Sequence, residues 1–135
     1  MVSLNLAEDG AIELGSVLLE CGIGIEAGVF TLAGADKLLA APWAGAIHRV
    51  PVEVIFEHND AAAVELARAI DARVAVLERP RLWHGDARAN WAVVDAGLAA
   101  GVDVRVGLED TLIGRDGGPA PGNVAQVAET APRMT

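Results

Sequence analysis

The sequence predicts an α/β protein whose parallel strands form part of a TIM-type (β/α)8 barrel. Five apolar runs rich in β-branched residues alternate with segments of helical pattern, an order typical of parallel sheets with right-handed crossovers. Hydrophobic residues make up 53% of the 135 residues but aromatic residues only 4%, so the core must be aliphatic, as in sheets covered by helices. The whole chain, residues 1–135, is expected to be a single domain.

Apolar periodicity, capping residues and helix-ending glycines place five strands and five helices along the chain. The predicted strands are residues 2–6, 23–30, 49–56, 80–83 and 102–108. The predicted helices are residues 11–20, 34–41, 61–74, 87–100 and 123–130. Gly22 and Gly101 are the expected C-terminal stops of the first and fourth helices.

Four of the predicted strands carry small or polar residues on one face and aliphatic residues on the other. The polar sets are Ser3 and Asn5; Gly24, Glu26 and Gly28; Arg49, Pro51 and Glu53; and Arg105, Gly107 and Glu109. A doubly wound open sheet would be apolar on both faces, whereas the inside of a (β/α) barrel gathers reactive groups at the carboxyl ends of its strands. Such a barrel needs eight strands, so we expect this chain to be the second part of a longer protein.

Charge and composition exclude several classes of partner. The net charge is −9 and the ten Lys and Arg residues form no cluster, which argues against nucleic-acid and anionic-membrane partners. No stretch approaches the roughly 18 apolar residues of a membrane span, and no signal peptide is recognisable, so a cytoplasmic location is expected. The single cysteine, Cys21, cannot form an internal disulfide and is interpreted as a small buried hydrophobe at a helix end.

The candidate chemistry lies in residues 105–110, Arg-Val-Gly-Leu-Glu-Asp, which close the fifth predicted strand. Arg105 and Glu109 are expected on one face of that strand, where burying them without partners would be costly, and Asp110 lies just past it. Two adjacent carboxylates beside an arginine predict a site for a metal, an acid or a base. The alternative is a solvated acidic pair at a strand end, with Arg105 in a structural ion pair.

The histidines and the glycine-rich loop carry weaker signals. His84 is interpreted as a hydrogen-bonded histidine at a strand end rather than a metal ligand, and His48 and His58 as surface residues. Glu53 is assigned no functional role. Residues 114–122 contain four glycines without the spacing of a phosphate-binding loop, so they are predicted to form a plain loop.

Several segments together resemble the β-keto acid cleavage enzymes, whose founding activity is 3-keto-5-aminohexanoate cleavage in lysine fermentation. The segments are Ser3-Leu-Asn-Leu6, Gly24-Ile-Glu-Ala-Gly28, Leu82-Trp-His-Gly85 with Trp91 downstream, and Arg105-Val-Gly-Leu-Glu-Asp110. The resemblance runs over essentially the whole chain, and its last segment is the most specific. It corresponds to about five of the family's eight βα units, strands 4–8, with the amino-terminal units absent.

The resemblance implies a zinc-dependent enzyme in which a β-keto acid and acetyl-CoA exchange acyl groups, giving acetoacetate and a new CoA thioester. Zinc would be held by a His-x-His motif on an early strand and by the glutamate matching Glu109. The aspartate matching Asp110, steered by the arginine matching Arg105, would act as the base. Glu26 matches a contact to the variable end of the keto acid, and Asn5 matches a small polar residue that faces the substrate.

The chain departs from the family pattern because it contains no His-x-His motif and lacks the early-strand carboxylate and serine. One carboxylate cannot hold a catalytic zinc, which needs about three protein ligands, so the chain is expected to carry part of an active site. Candidates for the phosphates of CoA, by charge alone, are Arg79, Arg81, Arg88 and Arg115.

Two other functions stay open. The first is a non-catalytic half barrel that folds by self-association or with a partner half, since open strand edges favour association and a homo-oligomer is expected. The second is another metal-dependent barrel of the aldolase type.

Overall fold

The computed structural model describes residues 1–55, 57 and 59–133, in which strands and helices alternate. The elements in chain order are β1 (Val2–Asn5), α1 (Ala11–Glu20), β2 (Ile25–Gly28), α2 (Leu32–Ala40), β3 (Val50–Val54), α3 (Asp60–Val74), β4 (Arg81–Gly85), α4 (Asn90–Ala99), β5 (Asp103–Val104) and α5 (Asn123–Thr130). Short 3-10 turns follow α2, α3 and α5 and precede α4. The predicted alternation of strands and helices is confirmed.

All strand pairs are parallel, and neighbours in space are neighbours in sequence. One small sheet pairs β1 with β2, and the other has the order β3-β4-β5. Isolated bridges between Glu26 and Arg49 and between Val29 and Val52 join the two sheets. With right-handed crossovers, sequential order puts the four helices that connect successive strands, α1 to α4, on the same side of the sheet. The arrangement is that of a partial α/β barrel.

The helix-facing side of the sheet is the aliphatic core. Its residues in β2, just after β2 and in β3 are completely buried: Ile25, Ala27, Val29, Val50, Val52 and Val54. Helices α2 and α3 pack against them with Ala35, Leu38, Ala63, Ala67 and Ile70. Removing this apolar area from water is the main force that holds the helices on the sheet. The prediction of one aliphatic face per strand is confirmed for these strands.

Capping residues explain where two helices begin. Thr31 accepts a hydrogen bond from the backbone N–H of Gly34 at 3.0 Å, so α2 begins two residues before its predicted start. Asn59 accepts one from the N–H of Ala62 at 3.1 Å and begins α3. Gly22 follows α1 at a positive φ of 72°, as predicted.

The end of the sheet differs from the prediction at β4 and β5. Strand β4 continues to Gly85 and therefore includes His84. The predicted strand over residues 102–108 is wrong beyond Val104, apart from one further bond in which Arg105 N–H donates to the Trp83 carbonyl at 3.0 Å. The chain then turns, because the N–H groups of both Asp110 and Thr111 donate to the Gly107 carbonyl.

This turn changes which acidic residue is buried. Side chains alternate between faces only while the chain is extended, so the shared face predicted for Arg105 and Glu109 does not exist. Asp110 is 5% exposed, whereas the side chain of Glu109 is 84% exposed.

Three smaller predictions also have outcomes. Cys21 is exposed rather than buried, because it lies at the C-terminal end of α1 on the outer surface. His48 is exposed, as predicted, whereas His58 and the predicted strand end at Phe56 lie outside the described residues. In the part of the chain that the structure describes, no helix combines the length and the apolar character needed to cross a bilayer.

Candidate active site

The candidate site lies at the carboxyl ends of β3 and β4 and in the turn after β5. The register pairs Glu53 of β3 with His84 of β4, so the two side chains lie side by side on the face away from the core. Val104 pairs with Trp83, which brings the next residue, Arg105, level with His84. The turn after Arg105 then folds Asp110 back onto both. We call Glu53, His84, Arg105 and Asp110 the His84 cluster.

The imidazole of His84 lies between two carboxylates. Its side chain is 1% exposed, with Nδ1 3.2 Å from Asp110 Oδ1 and Nε2 3.1 Å from Glu53 Oε2. Both contacts have the distance of an ion pair but not the alignment of a hydrogen bond. Nδ1 also lies 3.3 Å from Arg105 Nη2 and 3.4 Å from the Gly85 carbonyl oxygen. His84 thus connects a carboxylate on β3 to one in the turn after β5.

Arg105 holds Asp110 from the other side. Its Nη2 donates to Asp110 Oδ1 at 2.5 Å, and its Nε lies 3.1 Å from Oδ1 and 3.3 Å from Oδ2. The Asp110 side chain is 3% exposed and that of Arg105 is 39% exposed, so the guanidinium covers the carboxylate and still reaches solvent. Charge-assisted contacts of this kind are the strong class of hydrogen bonds.

Burial and partner charges compete in setting the protonation states of the cluster. Burial alone would raise the pKa of Asp110, but the contact with His84 and the hydrogen bonds from Arg105 outweigh it and hold that pKa below its usual value. Burial also disfavours a charged His84, and the nearby guanidinium adds to this effect. The carboxylates of Asp110 and Glu53 nevertheless raise its pKa to about 9. At neutral pH these pKa shifts favour an ionised Asp110 between a protonated His84 and the Arg105 guanidinium.

Gly28 makes room for the Glu53 carboxylate. A Cβ atom at Gly28 would overlap Glu53 Oε1, so a larger residue there would displace the acid. Because Glu53 Oε2 is already paired with His84, the carboxylate cannot swing away without breaking that contact.

The other predicted site residues lie at different distances from the His84 cluster. Asn5 ends β1 opposite Gly28, is half-buried, and accepts a hydrogen bond from the N–H of Ala7 at 2.8 Å. Glu26 lies lower on the same face, in an ion pair with Arg49 at 2.6 Å. Its bridge partner Arg49 precedes Glu53 by four residues, about 13 Å along an extended strand. The structure therefore places Asn5 near the cluster and Glu26 towards the amino ends of the strands.

Glu109, the predicted metal ligand, lines a surface cavity of about 350 Å³ together with Asp86 and Asp110. Its nearest cation is Arg105, with 4.0 Å between Nη2 and Oε1. Among residues 1–55, 57 and 59–133, no three His, Cys, Asp or Glu side chains converge as a metal site. The described residues therefore do not fit a zinc ion by themselves, and Glu109 could be only one of its ligands.

Sequence reasoning missed Glu53 as a site residue and gave His84 only a local hydrogen-bonding role. Both are polar residues near the ends of neighbouring predicted strands, and this position could have indicated that they belong to the candidate site. What was missing was the register between β3 and β4, because the fourth strand was predicted to stop at Trp83.

The fold and the site together define a class of protein, that of α/β barrels or parts of them with charged side chains at the carboxyl ends of their parallel strands. Barrel enzymes carry their active sites at that end. A family model for the beta-keto acid cleavage enzymes matches residues 7–134, and the chain belongs to that family. The resemblance inferred from residues 105–110 and the other segments is thereby confirmed. A comparison with curated proteins found no match.

Proposed function

We propose that this chain supplies the carboxyl-terminal half of the active site of an enzyme that exchanges acyl groups between a β-keto acid and acetyl-CoA, giving acetoacetate and a new CoA thioester. Family membership supports β-keto acid cleavage in general. The observation that carries the proposal further is the buried Asp110 carboxylate, which lies between the Arg105 guanidinium and the His84 ring.

In this proposal Asp110 is the base that removes a proton from the carbon next to the keto group. A base must be unprotonated before it reacts, and the partners that lower the pKa of Asp110 ensure this at neutral pH. Arg105 steers the base, since its Nε and Nη2 both contact the carboxylate. The exposed part of the Arg105 guanidinium is also available to the carboxylate of the keto acid.

Asn5 and Glu26 are proposed as contacts to the substrate. Asn5 is supported by its position one layer below the His84 cluster on the same face. Glu26 would have to share its carboxylate with Arg49, so a substrate group that reaches it meets an ion pair rather than a free negative charge.

Zinc is proposed only for a complete protein, with Glu109 as one ligand and the remaining ligands outside the described residues. A zinc ion bound there would supply Lewis-acid stabilisation of negative charge.

The test is to produce this chain together with the three amino-terminal βα units that the proposal requires, by fusion or co-expression, and to assay CoA-thioester formation from acetyl-CoA and a panel of β-keto acids. We expect Asp110→Asn to lower kcat by about 1,000-fold, since a general base contributes 10²–10⁴-fold. Glu109→Gln should lose zinc and activity together, whereas Glu13→Gln on the exposed side of α1 is the matched control. Full activity in Asp110→Asn would refute the base, and full zinc content with full activity in Glu109→Gln would refute the ligand.

A non-catalytic half barrel that associates with itself or another half is the second candidate. It is favoured by the sheet order, because β1 and β5 each pair with a single strand within the described part of the chain. Unpaired strand edges are templates for association, so a homo-oligomer is expected. Size-exclusion chromatography with light scattering tests this, and a well-behaved monomer would contradict it.

A further inference from the structure

His84 lies at the centre of the candidate site, yet the proposed chemistry gives it no role beyond its effect on the pKa of Asp110. We propose that His84 is a positioning residue, whose Nδ1 fixes the orientation of the Asp110 carboxylate while Glu53 anchors the imidazole from the opposite side. This inference rests on the proposed function, in which Asp110 is the base. Its physical basis is the placement of a buried ring with a carboxylate at each nitrogen.

The contacts distinguish the two oxygens of Asp110. Oδ1 is contacted by His84 Nδ1 at 3.2 Å and by Arg105 Nη2 and Nε at 2.5 and 3.1 Å. Oδ2 has one long contact, 3.3 Å from Arg105 Nε. These contacts fix the rotation of the carboxylate and leave Oδ2 as the oxygen with lone pairs available for a proton.

Arg105 alone would be a poor reference for that orientation. Its side chain is 39% exposed and carries the rotational freedom of a long chain, whereas His84 is 1% exposed and lies within a paired strand. A short buried ring on a strand holds a fixed position that a half-exposed guanidinium cannot. We therefore assign the orientation of Asp110 mainly to His84.

Glu53 lowers the free-energy cost of burying the His84 ring. Without it, Nε2 would face a buried region with no acceptor in the described part of the chain. The β3–β4 register puts Glu53 directly beside His84, and the missing side chain at Gly28 leaves space for the carboxylate. Glu53 on β3 thus holds the His84 ring, and the ring in turn holds the Asp110 carboxylate in the turn after β5.

Substituting His84 by asparagine or by glutamine tests the contacts of Nδ1 and of Nε2 separately. The amide nitrogen of Asn falls near the position of Nδ1, whereas that of Gln falls near the position of Nε2. In the completed enzyme we expect His84→Asn to keep kcat within about threefold of wild type. We expect His84→Gln to lower kcat by about 100-fold, the scale of a 1 Å misplacement, with KM nearly unchanged. Equal losses in the two variants, or a fully active His84→Gln, would overturn the proposal.

A spectroscopic measurement on the present chain is independent of activity and covers variants that fold poorly. Long-range ¹H–¹⁵N spectra at pH 7.5 should show protons on both ring nitrogens of His84, with the signals assigned through His84→Asn. Glu53→Gln should leave one protonated ring nitrogen and, in the completed enzyme, lower kcat about tenfold. An Nδ1 without a proton in the wild type would overturn this inference, because it could not donate to Asp110, while leaving the proposed function standing. A protonated His84 in an inactive wild-type enzyme would instead refute the proposed function, and this inference with it.

Discussion

Two ionic groups lie on the inner face of the same sheet, one near each end of its strands. Near the amino ends, Glu26 and Arg49 form a single pair with side chains 17% and 30% exposed. Near the carboxyl ends, the His84 cluster joins four charges, and the side chains of His84 and Asp110 are 1% and 3% exposed. Both groups bridge neighbouring strands, so strand bridging alone does not distinguish a structural pair from a candidate site. The difference lies in burial and in the number of partners that each charge needs.

That difference has an energetic meaning. A partly exposed pair keeps contact with water, so losing one member costs less than in a fully buried group. In a buried group every charge depends on the others, because water cannot replace a lost partner. The charges at the carboxyl end of the sheet therefore depend more strongly on one another, at the end where barrel enzymes carry their reactive groups.

The largest expected effect comes from removing Asp110. Asp110→Ala leaves the His84 imidazolium and part of the Arg105 guanidinium without a counter-charge, and should lower the free energy of unfolding by about 4 kcal/mol. Urea denaturation followed by circular dichroism measures this. Glu109→Ala is the matched control, because Glu109 is the next residue in the chain and its side chain is 84% exposed. This substitution should change the free energy of unfolding by less than about 0.5 kcal/mol. Similar losses in both variants would remove the contrast between the two ends of the sheet.

The second effect is a pH dependence of stability that belongs to His84. The pKa of His84 rises from 6.5 to about 9 on folding, so its contribution is fully present below about pH 6.5 and is lost as the pH rises through about 9. We expect the free energy of unfolding to fall by about 3 kcal/mol across that range. His84→Asn should remove this decline, and denaturation curves at several pH values test it. An equally steep decline in the variant would assign the effect to other groups.

A smaller effect is expected at Gly28. In Gly28→Ala the new Cβ meets the Glu53 carboxylate, which His84 holds in place, so we expect a loss of about 1–2 kcal/mol from overpacking. Gly24→Ala is the control, since nothing lies within 4 Å of a Cβ built there. Thermal unfolding of the two variants decides the matter, and equal midpoints would show that the Glu53 side chain moves freely.

The smallest effect is expected at the amino end. A double-mutant cycle of Glu26→Ala and Arg49→Ala should give a coupling energy of about 0.5 kcal/mol, because both side chains keep contact with solvent. A coupling above about 2 kcal/mol would mean that this pair is as tightly bound as the His84 cluster, and the comparison would fail.

The sequence was sufficient to predict those features that depend on periodicity. Alternating residues in β2 and β3 identified the aliphatic face correctly, and the order of strands and helices followed from caps and apolar runs. The segment of residues 105–110 was also singled out, and the structure brings Arg105 and Asp110 into contact.

Periodicity along the chain does not predict features that depend on how distant segments pack together. A strand period through Leu108 would put Arg105 and Glu109 on one face, but the strand ends at Val104 and the turn from Gly107 buries Asp110 while exposing Glu109. The pairing of Glu53 with His84 depends on the β3–β4 register, which no local pattern specifies. The ion pair between Glu26 and Arg49 required the same kind of knowledge for β2 and β3.

The sequential order of the strands has a consequence for how the chain folds. Each strand docks against the one synthesised just before it, so closing each contact requires ordering only one intervening helix and its loops. Topologies dominated by such short-range closures fold faster than those that join distant segments. We expect native structure to form stepwise from one end of the row of strands. The His84 cluster should form only after β3, β4 and the turn beyond β5 are in place.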